Sequence, residues 1–263
     1  MKTSKLIKDN SYAVYGLGLS GNSTIKFLKK KKVKKIYTWD DKNSTNNKKK
    51  LNLFKKKLDE VDYIVISPGI NIQKTRFKLK LSRNKKKIIT DLDLFYMQKF
   101  LIKSIVITGT NGKSTACKLT QHILKKNRLD VQLGGNIGKP VLDLKIKKKS
   151  VIIIEASSFQ LAYTKFIKPN LAVILNISSD HLDWHNTISN YKKSKLKIFS
   201  KQDRNDIALL NDKKLIKLFH KNGYLSRLKI LKKNFLNNDI KKKINNNYLT
   251  SEPNLENLSF AYQ

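Results

Sequence analysis

Short, almost continuously apolar runs recur along the chain: YAVYG (12–16), KIYTW (35–39), DYIVIS (62–67), KIIT (87–90), SIVITG (104–109), SVIIIE (150–155), LAVILN (171–176) and DIALLN (206–211). Each has the length of a strand. Between the early runs lie stretches of helical length, such as residues 20–30 and 74–82. A strand apolar on both faces needs cover on both faces, so the pattern predicts α/β architecture with parallel strands and crossover helices. A chain of 263 residues has room for two such sheets in succession. The boundary is expected near residues 98–103, giving domains at 1–100 and 101–263. From about Leu215 the chain turns Lys- and Asn-rich and weakly patterned. SEPNLENLSFAYQ then begins like a helix, with Ser251 as cap and Pro253 in the first turn, and stops in mid-pattern at Gln263. A truncated second domain is the expectation.

Composition narrows the partners. Hydrophobic residues make up 40% of the chain, and no apolar run approaches the roughly 18–20 residues of a membrane span. Asp9, Asn10 and Ser11 interrupt the basic N-terminal stretch before any apolar core, so no secretion signal is read and a cytoplasmic, membrane-free protein is expected. Cys117, the only cysteine, cannot form an internal disulfide. A net charge of +37 invites a nucleic-acid reading. Against it, five of the 56 basic residues are Arg, and the lysines are scattered in runs (29–32, 55–57, 85–87, 147–149, 241–243) between the apolar segments. They read as solvated faces, the Lys, Asn and Ile excess as drift in an AT-rich genome, and no nucleic-acid partner is expected. A monomer is the expected state.

Chemistry enters with two glycine loops. In GLGLSG, Gly16, Gly18 and Gly21 follow an apolar run and precede a helical one, and Asp40 ends the next run. This is the pattern of a Rossmann-like dinucleotide site, in which a tight turn brings a diphosphate to a helix N-terminus. On these residues alone a nicotinamide or flavin cofactor, and with it an NAD(P)-dependent oxidoreductase, is favoured; a nucleotide sugar would serve as well, and tight packing alone remains an alternative. SPGI, with Ser67, Pro68 and Gly69, adds a turn at the same edge.

In TGTNGKST a strand runs into Gly109, Thr110, Asn111, Gly112, Lys113, Ser114 and Thr115, with a helix expected from about Ala116. Backbone N–H groups of such a loop wrap phosphates, the lysine neutralises them, and a following hydroxyl meets Mg²⁺. Two residues, not the usual four, separate the glycines, so this is a short P-loop variant, and ATP or GTP with Mg²⁺ is expected. Glu155 ends VIIIE, where a buried carboxylate calls for compensation by a cation. In LNISSDHLDWH, His181 and His185 are four apart and could share a helical face, but without a third nitrogen or sulfur ligand zinc is rejected. His181 can instead meet the γ-phosphate or its metal. In NYKKSKLKIF, Tyr191 and Lys195 fall on one face while Leu196 and Phe199 can pack; composition does not set Lys195 apart.

Taken together, GLGLSG, SPGI, TGTNGKST, GGNIG, EASSFQL, NISSDHLDWH, YKKSKLKIF and PNLENLSFA resemble, in order and spacing, the Mur ligases of peptidoglycan synthesis. The related folylpolyglutamate synthases share the short phosphate loop but usually read GKGS and lack the first module. The resemblance implies that the first module holds the UDP of a sugar substrate and the second, P-loop ATPase-like, holds ATP. It implies UDP-sugar contacts at Gly18, Leu19, Ser20, Asp40, Asp41, Ser67, Pro68, Gly69 and Asn136. It places ATP on residues 109–115 with Asn254 and Asn257 on the adenine side, and metal on Ser114, Glu155, His181 and Lys195, the last once carbamylated. Lys113, His181, Lys195 and Asn136 are the implied catalytic set. The implied substrates are UDP-N-acetylmuramoyl-L-alanine, ATP and D-glutamate, joined through an acyl phosphate. WDDKN departs from the commoner Asp-Thr-Arg pattern at Asp41 and Lys42. The family's third, C-terminal module is absent from this sequence, so impaired ligation by the chain is expected.

Overall fold

The computed structural model describes residues 7–42, 47–98, 103–231, 236 and 238–263; residues 99–102, inside the expected boundary, lie outside the described residues. The chain divides into two compact units, residues 1–100 with 140–143 and 159–167, and the remainder.

The first unit runs β1 (Tyr12–Tyr15), α1 (Leu19–Lys30), β2 (Ile36–Trp39), α2 (Lys48–Glu60), β3 (Tyr63–Ile66), α3 (Lys78–Arg83), β4 (Ile88–Ile89) and α4 (Asp91–Met97). Its sheet has the order β2-β1-β3-β4, parallel throughout, with Tyr15 opposite both Trp39 and Ile66. Because β2 and β3 flank β1, the connections diverge at the carboxyl ends of β1 and β3, the place where open α/β sheets bind ligands. All four residues of β1 are buried, as a central strand covered on both faces requires. One face packs on Trp39, Phe54, Leu58 and Phe77, the other on Ile7, Phe27, Leu28 and Leu94. The helix expected over 74–82 is shorter: a 3₁₀ turn at Ile72–Lys74 is followed by α3 from Lys78, because Phe77 turns inward to join Tyr15, Trp39 and Phe54.

The second unit contains β5 (Lys103–Thr108), α5 (Lys113–Lys126), β6 (Val131–Gly135) and β7 (Val151–Glu155), then α6 (Ser158–Tyr163), whose residues from 159 count with the first unit. It continues through β8 (Leu171–Ile174), α7 (Leu182–His185), α8 (Ile188–Leu196), β9 (Ile207–Leu210), α9 (Lys213–Lys221) and β10 (Arg227–Ile230). It closes with α10 (Asn238–Lys242), α11 (Asn247–Thr250) and α12 (Glu252–Tyr262). The sheet order is β10-β9-β8-β5-β7-β6, again parallel throughout. Every apolar run read from the sequence is a strand. β6 and β10 were not among them: VQLGG is only partly buried, and RLKI is an edge strand with three of its four residues exposed and with apolar positions alternating with charge. Where the Lys- and Asn-rich stretch begins, α9 is capped by Asp212 and buries Leu215 and Phe219. Among the described residues, no helix is long and apolar enough to cross a membrane.

Candidate active site

At the carboxyl edge of the first sheet the three glycines of GLGLSG do different work. Gly16 has φ of +91°, and a Cβ on Gly21 would overlap the Gly16 carbonyl, so the turn and the helix contact both exclude a side chain. A Cβ on Gly18 would meet nothing within 4 Å. Packing therefore explains two glycines and leaves the third facing open space, where a phosphate can approach the start of α1. Leu19 beside it is 82% exposed, although it is apolar. Asp40 ties the loop to β2: one oxygen accepts from the Leu17 N–H at 2.6 Å and the other from the Lys42 N–H at 2.8 Å. Ser67 Oγ donates to the Gly16 carbonyl at 2.7 Å, joining SPGI to the glycine turn. Asp41 is held by Tyr15 Oη, by Trp39 Nε1 at 2.9 Å and by Arg76 Nε at 3.2 Å.

At the same edge of the second sheet, the loops after β5, β7 and β8 converge because β5 lies between β7 and β8. The helix after the phosphate loop starts at Lys113, earlier than Ala116, and Gly112 caps it with φ of +81°. The loop is braced from β8: Asn176 Oδ1 accepts from the N–H groups of Thr110 and Asn111 at 3.1 and 2.9 Å. Thr110 Oγ1 lies 3.0 Å from the Tyr191 hydroxyl and accepts from the Ser178 N–H at 3.0 Å. Sequence reading missed Asn176; its signal is an amide two residues beyond the strand that pairs with β5.

The charges are arranged unusually. Glu155 is 2% exposed, and among the described residues no ammonium pairs with it directly; Ser114 Oγ donates to one oxygen at 2.7 Å and Asn136 Nδ2 to the other at 2.8 Å. Both oxygens are thus held by neutral donors. Lys113 Nζ instead donates to the Gly109 and Thr110 carbonyls at 2.9 and 2.6 Å. Lys195 Nζ donates to that same Gly109 carbonyl at 2.7 Å and lies 4.6 Å from the Tyr191 ring centre. Lys195 is 1% exposed, so burial sets apart a lysine that composition did not. Burial first, and Lys113 second, lower its pKa to about 7. Burial also lowers that of Lys113, against the pull of Glu155 and Asp180.

His181 and His185 do not share a helical face. His181 sits at the cap of α7 with φ of +51°, its Nε2 3.4 Å from Asp180 Oδ2. His185 is buried against Ser158 Oγ at 3.0 Å, and burial lowers its pKa to about 4. From α12, Asn257 presses on the phosphate loop so closely that a Cβ on Gly112 would collide with its amide; Asn254 bonds Tyr248 O and Ser251 Oγ. Asn136 belongs to the second unit, as do all the residues expected around ATP.

The profile of the Mur ligase middle domain matches residues 107–260, more than half the chain, and that of the Mur ligase MurD-like N-terminal domain matches residues 10–89. This chain belongs to the Mur ligase family. Among curated relatives, the UDP-N-acetylmuramoylalanine--D-glutamate ligase of Aquifex aeolicus is 39% identical over 202 residues, covering 76% of this chain and 46% of that protein. The enzyme of the same name from Rickettsia bellii is 38% identical over 214 residues, covering 78% and 46%. The chain thus spans about half the length of the curated relatives it matches. Among solved structures, the UDP-N-acetylmuramate:L-alanyl-gamma-D-glutamyl-meso-diaminopimelate ligase of Neisseria meningitides superposes with a TM-score of 0.49 at 13% identity, over 83% of this Mur ligase chain and 77% of that one.

Proposed function

We propose that the chain carries the nucleotide-binding modules of an ATP-dependent amide ligase that adds D-glutamate to UDP-N-acetylmuramoyl-L-alanine; its relatives are named UDP-N-acetylmuramoylalanine--D-glutamate ligases. One observation supports this above the others. Two lysine side chains, Lys113 and Lys195, converge on one carbonyl of the phosphate loop, and among the described residues no carboxylate is bonded to either. Such an excess of positive charge suits a bound polyanion.

The donor set fits a magnesium nucleotide. Ser114 and Glu155 offer hard oxygens already 2.7 Å apart, with His181 beyond β8 and with Lys195 able to join them as a carbamate. Bound magnesium would neutralise phosphate oxygens during transfer. Lys195 is suited to carbamylation because a pKa near 7 leaves much of the amine unprotonated at neutral pH; its nitrogen adds to the carbon of CO₂ and releases a proton. The modification converts one of the two crowded cations into an anion.

Carboxylates are poor acyl donors to amines, so the alanyl carboxylate takes the γ-phosphoryl group of ATP with release of ADP, and the amine of D-glutamate then attacks the acyl carbon, forming the amide and releasing inorganic phosphate and a proton. Lys113 and the loop N–H groups that are not used by Asn176 hold the phosphates and stabilise the charge that shifts between them. The UDP end of the sugar substrate would lie over Gly18, Leu19 and Ser20, near Asp40 and residues 67–69. Asn254 and Asn257 would face the adenine.

Thermal-shift titration of the chain with magnesium ATP tests the reading. Stabilisation is expected in the wild type and its loss in Lys113→Ala and Glu155→Gln; no shift in the wild type would end it. Substrate-dependent ADP release, with UDP-N-acetylmuramoyl-L-alanine and D-glutamate both required, tests the full reaction.

A further inference from the structure

We propose that Arg76 is a specificity-determining residue at the base end of the first crevice, where its guanidinium donates to the position-4 carbonyl of a uracil ring. The inference deepens the reading above and rests on it.

Arg76 is fixed at both ends. Its neighbour Phe77 is 3% exposed and packs edge-on against Tyr15 and Trp39, with ring centres 5.3 and 6.2 Å away, which pins the backbone. Its head is held through Nε by Asp41 at 3.2 Å. Asp41 in turn accepts from Tyr15 Oη and from Trp39 Nε1, and Tyr15 and Trp39 are the last residues of β1 and β2. A long, flexible side chain is thereby set at the ligand-binding edge of the sheet before any ligand arrives, and the cost of ordering it on binding falls.

Place within the crevice selects the part of the ligand. A diphosphate belongs at the glycine loop and the start of α1, whereas the residues after β2 serve the ribose and what lies beyond it. Asp41, immediately after the ribose-side Asp40, carries Arg76 to that far end. Asp41 accepts three donors, so its part is to position Arg76. Guanidinium presents donors only, in a planar fork of which Nε faces Asp41. A donor-only group satisfies the carbonyl at position 4 of uracil and opposes the amino group that cytosine carries there. Arg76 remains 43% exposed by its side chain, within reach of an incoming ring.

Isothermal titration of the 263-residue chain with UDP and with CDP tests this. The wild type is expected to prefer UDP. Arg76→Ala is expected to lose UDP affinity by about tenfold or more and CDP affinity little, so the preference collapses; Arg76→Lys restores part of it, and Asp41→Asn weakens UDP in the same direction. Native-like hydrogen-exchange protection of β1 and β3 reports an intact first unit. A wild-type preference retained in Arg76→Ala, or a wild type that binds both nucleotides equally, overturns the inference and leaves the ligase reading in place. A wild type that binds ATP but neither UDP nor CDP overturns both.

Discussion

Lys195 shows how burial gives chemistry to a residue that its neighbours in sequence do not distinguish. It sits among Lys192, Lys193 and Lys197, yet it alone of these is 1% exposed, with its ammonium on the Gly109 carbonyl. The folded chain lowers its pKa to about 7 while the unfolded chain leaves it at 10.5. Between those values the unfolded state binds the extra proton, so stability rises with pH. Lys113 is shifted the same way, and the buried tyrosines, whose values are raised, act only above about pH 10. We therefore expect the melting temperature of the ligand-free, CO₂-free chain to climb by a few degrees from pH 7 to 9.5, and Lys195→Met to flatten the rise. Scanning calorimetry across that range checks it; an equal slope in the variant would remove the lysine as its cause. Glu155 teaches a complementary lesson. A carboxylate ending an apolar strand was legible as a site residue, but its partners were not, because Ser114 and Asn136 lie 41 and 19 residues away along the chain.

Among elements, α12 has the largest consequence for the phosphate loop. Phe260 enters the core of the second unit beside Ala116 and Cys117 of α5, and the same helix sets Asn257 on Gly112. Truncating Phe260 to Ala should cost about 3–5 kcal/mol, as expected for a buried aromatic, and should weaken ATP binding along with it, since Asn257 loses its support. Denaturant unfolding with nucleotide titration checks both; a destabilised variant with unchanged ATP affinity would separate the helix from the site. In the first unit, Asp93 of α4 similarly gathers residues distant in sequence. It closes a capping box with Thr90 N and also accepts from Thr164 Oγ1 and the N–H groups of Lys165 and Phe166, each at 2.7 Å. The cap joins residues three apart, whereas the bond to Thr164 spans 71 positions of the chain.

At the scale of the whole molecule, two parallel sheets present their carboxyl edges with glycine loops that differ in purpose. The first turns tightly and leaves Gly18 open; the second wraps backward over Lys113. Hydrogen exchange should therefore separate them. UDP should slow exchange over residues 16–21, 40–41 and 67–70, and magnesium ATP over 109–115, each sparing the other set; exchange of both sets slowed equally by one nucleotide would contradict separate sites.

By itself the sequence determined the two-sheet plan, eight of the ten described strands in chain order, both glycine loops and the family, because apolar runs, glycines and short motifs report local requirements that no distant residue can cancel. Tertiary structure alone decided which strands are neighbours, that Lys195 and Lys113 meet on one carbonyl, that Glu155 is held by an alcohol and an amide, and that Asp41 clamps Arg76. Those facts follow from packing, in which residues far apart in the chain exclude water from one another, and burial is a property of the assembled sheet rather than of any stretch of sequence.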